Sequence, residues 1–163
     1  MTKKNNSVIL MIYGGVIAAL YILLTFIFQP ISFGPIQVRV AEVLCVLPMF
    51  TPAAVPGLFV GCFIGNFLGG APFYDVLFGS LATLIGAMGS LYLRKYKLGV
   101  ILPPILANII IVPWVLRFVY GETAIIPYLM LTVGIGEVIA VGILGSLFIV
   151  VLKKYEHIIF KKH

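Results

Sequence analysis

GLFVGCFIGNFLG, residues 57–69, places Gly57, Gly61, Gly65 and Gly69 four apart in a run whose only strongly polar side chain is Asn66. On a helix, three consecutive GxxxG steps make a ridge without side chains, against which another helix packs closely. Each step drifts about 40° around a helix of 3.6 residues per turn. The groove therefore winds and has room for more than one neighbour.

The sequence around this ridge decides what surrounds it. Uncharged stretches run over residues 5–38, 43–74, 76–93 and 98–116, and a last apolar segment holds Glu137 as its single interior charge. The 163 residues are 62% hydrophobic and 10% charged, far from the balance of a soluble domain. The chain reads as an integral membrane protein, all-α. At about 20 residues per crossing it makes a single transmembrane domain over residues 1–163, with no room for a soluble one.

Pro and Gly cut the chain into six expected helices: 8–28, 37–50, 53–70, 75–93, 99–119 and 126–152. The first is long enough to span and lacks a small-residue cleavage site, so it reads as a helix rather than a signal peptide. The second is short, and Pro48, Pro52 and Pro56 break the chain into the third. Segments two and three thus form either two crossings or a partly re-entrant pair. With the N-terminus in the cytoplasm, nine of the eleven basic residues lie inside: Lys3, Lys4, Arg94, Lys95, Lys97, Lys153, Lys154, Lys161 and Lys162. Only Arg39 and Arg117 lie outside, which predicts a multi-pass cell-membrane protein with both termini cytoplasmic. The net charge of +6 belongs to this topology and not to nucleic-acid binding, for which there is no basic domain with interleaved aromatics.

Helix one carries a second small-residue pattern, Gly14 with Ala18 and Gly15 with Ala19. These steps form a flat face, suited either to packing within the bundle or to docking a second membrane protein. Cys45 and Cys62 have no metal-ligand spacing and read as buried free thiols.

Charge inside a bilayer costs roughly 2.5–3.5 kcal/mol per residue on insertion scales, so each ionisable group there is a functional candidate. Glu137 falls about eleven residues from the outer end of the last helix, about 16 Å deep, close to the midplane. Its alternative role is a protonated or hydrogen-bonded strut between helices. Arg39 and Glu42, spaced i, i+3, share a helical face and can pair, either as an interfacial ion pair or as the mouth of a site. Other outer-half polar groups able to converge there are Gln37, Asn66, Asp75, Asn108 and Trp114. Asp75 reads alternatively as a helix N-cap and Trp114 as an interface anchor. Acids, carboxamides and aromatics around one main cation suit a planar, donor-rich or positively charged ligand better than an anion.

There is no G-x-x-x-x-G-K-[ST] loop for ATP and no HExxH. The two histidines, His157 and His163, lie in the tail, and no catalytic group, metal or cofactor is expected. QVRVAEVLCVLPMFTPAAVPGLFVGCFIGNFLGG, followed by YDVLFGSLATLIGAMGSLYLRK, resembles the QueT family, substrate-binding S components of energy-coupling factor (ECF) transporters. The resemblance covers nearly the whole chain. It implies a six-helix S component for a queuosine precursor such as 7-aminomethyl-7-deazaguanine, with a transmembrane coupling protein and two cytosolic ATPases as partners. It also implies that Gly14, Gly15, Ala18 and Ala19 face the coupling protein, and beside it the residues themselves suggest that Arg39 positions Glu42 at the outer mouth of the pocket. The rival readings are an S component for another vitamin and a small carrier that uses Glu137 as a proton site.

Overall fold

A computed structural model describes residues 3–32 and 38–159. The described residues are helical with no strand: α1 (Lys3–Ile27), a single turn α2 (Gln29–Ser32), a 3-10 helix (Val40–Met49), α3 (Ala54–Leu68), α4 (Phe73–Tyr92), α5 (Lys97–Phe118) and α6 (Ile126–Ile159). Helix α6 is interrupted by a π-helical stretch, Val138–Leu144. Four helices are long and apolar enough to cross a membrane: Ser7–Ile27 of α1, α4, α5 and α6.

Segments two and three are shorter than the crossings expected of them. The 3-10 helix of ten residues rises about 20 Å at ~2.0 Å per residue, and the fifteen residues of α3 rise about 22 Å. A hydrocarbon core is about 30 Å thick. The amides of Phe50 and Thr51 both fold back onto the Leu47 carbonyl (2.9 and 3.1 Å), and Pro52 follows. The 3-10 helix therefore ends where its prolines cluster. It lies at the centre of the bundle. Leu44, Cys45 and Leu47 pack with Ile17, Tyr21 and Leu58 on one side, and Val46 packs with Val100, Ile105 and Val141 on the other. Met11, Phe67, Phe73, Leu102, Leu131 and Val150 point outward, the apolar exterior of a protein solvated by lipid.

The glycine ridge holds α1 against α3. A Cβ on Gly57 would lie 2.6 Å from the Gly14 carbonyl oxygen, and one on Gly61 would lie 3.0 Å from Ala18 Cα. Gly65 faces Thr25 at 3.2 Å. The contacts advance together along both helices, so α1 and α3 run parallel. Gly86 and Gly89 give α4 the same closeness to Pro104 and Pro103 of α5. Pro104 has no N–H to offer the carbonyl one turn back, and Ser90 Oγ of α4 donates to that carbonyl, Val100 O, at 2.6 Å.

This packing divides the small-residue face of α1. Gly14 and Ala18 are consumed by α3, whereas Gly15 has nothing within 4 Å of its added Cβ and Ala19 is exposed. Neighbouring helical residues point about 100° apart, so the two steps form a corner rather than the flat docking face expected. Gly57→Ala is expected to destabilise the chain by about 1–3 kcal/mol, because backbone and not a flexible side chain stands in the way. Gly15→Ala should leave stability within about 0.5 kcal/mol. Thermal unfolding of the two variants in detergent, side by side, checks the pair.

Candidate functional site

The starts of the 3-10 helix and α4, both at the end of the bundle opposite the described termini, bring the first polar pair together. Arg39 precedes the 3-10 helix and Asp75 lies in the first turn of α4. Arg39 Nη2 donates to Asp75 Oδ1 at 3.2 Å, with both side chains buried. Tyr120, from the α5–α6 loop, donates its hydroxyl to Asp75 Oδ2 at 2.7 Å. Burial, together with that bond to the Asp75 carboxylate, pushes the Tyr120 phenol above its ordinary pKa, so it stays a donor. Gly79 of α4 leaves the space in which these groups meet. A Cβ there would stand 3.2 Å from Arg39 Nη1, 3.3 Å from Asn66 Nδ2 and 3.4 Å from Asp75 Oδ1.

One turn deeper, Glu42 is fully buried and accepts three side-chain bonds from the protein itself. Tyr21 of α1 and Thr83 of α4 (3.0 Å) donate to Oε1, and Cys45 donates to Oε2 at 2.8 Å. Asn66 Nδ2 reaches Cys62 Sγ at 3.5 Å. Cys45 and Cys62 are free and buried, as expected. They also belong to this network, a role that their apolar surroundings in the sequence do not signal.

On the far wall, Asn108 of α5 donates through Nδ2 to the Pro104 carbonyl at 3.2 Å, which turns its Oδ1 away from its own helix. Glu137 sits where α6 passes from α to π geometry, is 3% exposed, and lies beside Asn108 and within electrostatic reach of Arg39 and Glu42. Among the described residues, three buried side-chain atoms have no hydrogen-bond partner: Arg39 Nη1, Asn108 Oδ1 and Glu137 Oε2. Leaving such a group unsatisfied costs about 1–3 kcal/mol, more when it is charged. The three atoms come from the residue ahead of the 3-10 helix, from α5 and from α6, and comprise one donor and two acceptors. Formally the region holds Glu42, Asp75 and Glu137 against Arg39 alone, three negative charges and one positive, or −2.

The structure brings together Arg39, Glu42, Asn66, Asp75, Asn108 and Glu137. It changes how several of these residues are placed. Arg39 pairs with Asp75 rather than Glu42, because it lies outside the helix, ahead of the first turn, and its side chain crosses to α4. Glu42 takes three side-chain donors from inside the bundle. Trp114 lies apart from the cluster, 49% exposed and stacked on Phe118 with ring centroids 6.1 Å apart, in a lipid-facing groove between α4 and α5. Asp75 does not cap its helix, since α4 begins at Phe73 with Pro72 in the capping position and no side-chain cap bond. Gln37 lies outside the described residues.

Sequence reasoning missed Tyr21, Thr83 and Tyr120. Tyr21 was findable, because it continues the Gly14, Ala18 spacing by three residues and so shares the face toward α3. Thr83 follows Gly79 by one helical turn in the same way. Nothing local marks Tyr120.

The profile of the QueT transporter family matches residues 11–154. The chain belongs to the QueT transporter family. The matched span contains every residue of the polar cluster and the whole of the Gly57 to Gly69 ridge, so this architecture is that of a QueT transporter chain. It is a membrane transport protein rather than an enzyme. No curated protein and no solved structure matches the chain.

Proposed function

We propose that the chain is the substrate-specificity (S) subunit of an ECF-type importer and binds a queuosine precursor, 7-aminomethyl-7-deazaguanine or a close relative. The observation that carries this reading is the set of three unpartnered buried atoms, Arg39 Nη1, Asn108 Oδ1 and Glu137 Oε2. A guanine-type edge offers the complement: a carbonyl oxygen to accept from the guanidinium, and adjacent ring and exocyclic N–H groups to donate to carboxylate and carboxamide oxygens. The aminomethyl group adds a cation, which suits a cluster of formal charge −2 better than neutral guanine does. An anion or a donor-poor ligand leaves the two acceptors unsatisfied.

The remaining elements of the reading follow from topology and charge. Both termini are cytoplasmic, so the site opens outward. The chain has no ATP site of its own, so uptake requires a transmembrane coupling protein and two cytosolic ATPases. Gly15 and Ala19, the exposed half of the small-residue pattern, form the part of α1 available to the coupling protein.

Glu137 favours one second reading, a proton-coupled carrier, because a buried carboxylate with one unpartnered oxygen also suits a proton site. Liposomes separate the two. With this chain alone, a proton gradient is expected to drive no uptake of labelled 7-aminomethyl-7-deazaguanine. Addition of the coupling protein and ATPases with ATP is expected to start it. Gradient-driven uptake by the chain alone, abolished by Glu137→Gln, would establish the carrier instead.

A further inference from the structure

At the same end of the bundle as Asp75, an open cavity of about 650 Å³ lies among Phe26, Gln29, Gly69, Gly70, Pro72 and Tyr120. It is separate from the buried cluster yet shares a wall with it. Pro72 caps α4 and accepts the Asp75 amide at 2.9 Å, so the cavity wall stands one turn from the carboxylate that Arg39 holds. Tyr120 belongs to both spaces. Its side chain lines the cavity, and its hydroxyl bonds to Asp75 Oδ2 at 2.7 Å.

Two further features bear on that residue. Gly121, next to it, has φ +71°, and Gly70 across the cavity has φ +80°, backbone conformations that glycine adopts at little cost. The loop holding Tyr120 is tied at its base, where Arg117 Nη1 donates to the Glu122 carbonyl at 2.6 Å and the Glu122 amide bonds to the Leu116 carbonyl at 3.1 Å. The base is thus fixed, while the phenol reaches the bundle through a single hydrogen bond.

We infer that this cavity is the vestibule through which ligand reaches the buried cluster, and that the Tyr120 hydroxyl on Asp75 is the latch between the two. The inference rests on the proposed function, since it needs a ligand that arrives from this end. The cavity is roomy enough for a bicyclic heterocycle. Phe26 and Tyr120 line it together with Gln29, whose amide donates to the Gly69 carbonyl at 3.3 Å, so it suits a planar ligand. For ligand to pass inward, the Tyr120–Asp75 bond opens and then re-forms behind it. Because the bond is present before and after passage, it sets rates more than affinity. Tyr120 is therefore a positioning residue, distinct from the atoms that hold the ligand.

The test uses the full-length chain in nanodiscs and 7-aminomethyl-7-deazaguanine as the probe, with association and dissociation rates measured together. Tyr120→Phe keeps the ring and removes the latch. Both rates are expected to rise by about tenfold, the scale of one charge-assisted hydrogen bond, with the dissociation constant changed less than about threefold. Gly121→Ala, which strains the loop at positive φ without touching either cavity, is expected to move both rates in the same direction. Rates within about twofold of the wild type in Tyr120→Phe would overturn the latch. So would a large loss of affinity with association unchanged, which would make Tyr120 a ligand contact. Absence of binding by the wild-type chain itself would overturn the proposed function, and that result is visible before any variant is made.

Discussion

Glu137→Gln is expected to weaken binding of 7-aminomethyl-7-deazaguanine by roughly ten- to a hundredfold, the worth of one hydrogen bond to a charged group, while thermal stability holds or rises. The two effects separate because Glu137 Oε2 is buried with no partner in the protein. Glu137 also lies beside Asn108 and within electrostatic reach of Arg39, so neutralising it removes a desolvation cost that these contacts offset only in part. A residue that served as a strut between helices would behave in the opposite way, losing stability first. Calorimetric titration and an unfolding curve on the same preparation read both quantities. Unchanged affinity with lowered stability would return Glu137 to a structural role.

Glu42→Ala is expected to fail first in stability. The substitution strips the acceptor from Tyr21 and Cys45, leaves Thr83 to the Gly79 carbonyl at 3.1 Å, and opens a cavity between α1, the 3-10 helix and α4. At about 1–3 kcal/mol for each of these two buried groups, with about 2–5 kcal/mol for the cavity, the total approaches the 5–15 kcal/mol that typically holds a domain together. The variant should therefore accumulate poorly and unfold well below the wild type in detergent. Glu42→Gln keeps one carbonyl acceptor and is expected to fall between the two. Normal stability of Glu42→Ala, with ligand binding lost, would show that Glu42 faces the ligand after all.

These two glutamates also show what the sequence could and could not disclose. Both stand alone in apolar surroundings, and each was a fair candidate on the cost of burying charge. Their difference lies in donors supplied from distant segments. Tyr21 is 21 residues from Glu42 and Thr83 is 41, and no local pattern records such a meeting. The same limit explains Arg39. Its i, i+3 spacing to Glu42 predicts a pair only if both residues are on one helix, and Arg39 precedes the first turn, so its side chain is free to find Asp75, 36 residues on.

Other features were readable because their cause is local. The spacing of Gly57, Gly61 and Gly65 dictates a close helix approach, and α1 occupies that ridge at 2.6 Å from one hypothetical Cβ. The spans of α1, α4 and α5 follow from uncharged runs of sufficient length, and that of α6 from an apolar run whose one interior charge is Glu137. The π stretch after Glu137 did not announce itself, because Val138–Leu144 is as apolar as any α-helical run in the chain. Trp114 was misplaced for a related reason. Depth along a helix can be counted from its end, but the side of α5 that faces the cluster depends on how Pro103 and Pro104 seat against Gly89 and Gly86.

The central claim is that Arg39, Asn108 and Glu137 await a cationic, donor-bearing heterocycle. Calorimetric titration of the purified, folded chain with 7-aminomethyl-7-deazaguanine, with guanine and thiamine as comparisons, tests it most directly. Saturable binding of the deazaguanine, with guanine weaker by about tenfold or more for want of the ammonium and thiamine weaker still, is the predicted result. Equal binding of guanine and the deazaguanine, or no binding of either to a sample with a cooperative unfolding transition, would contradict it.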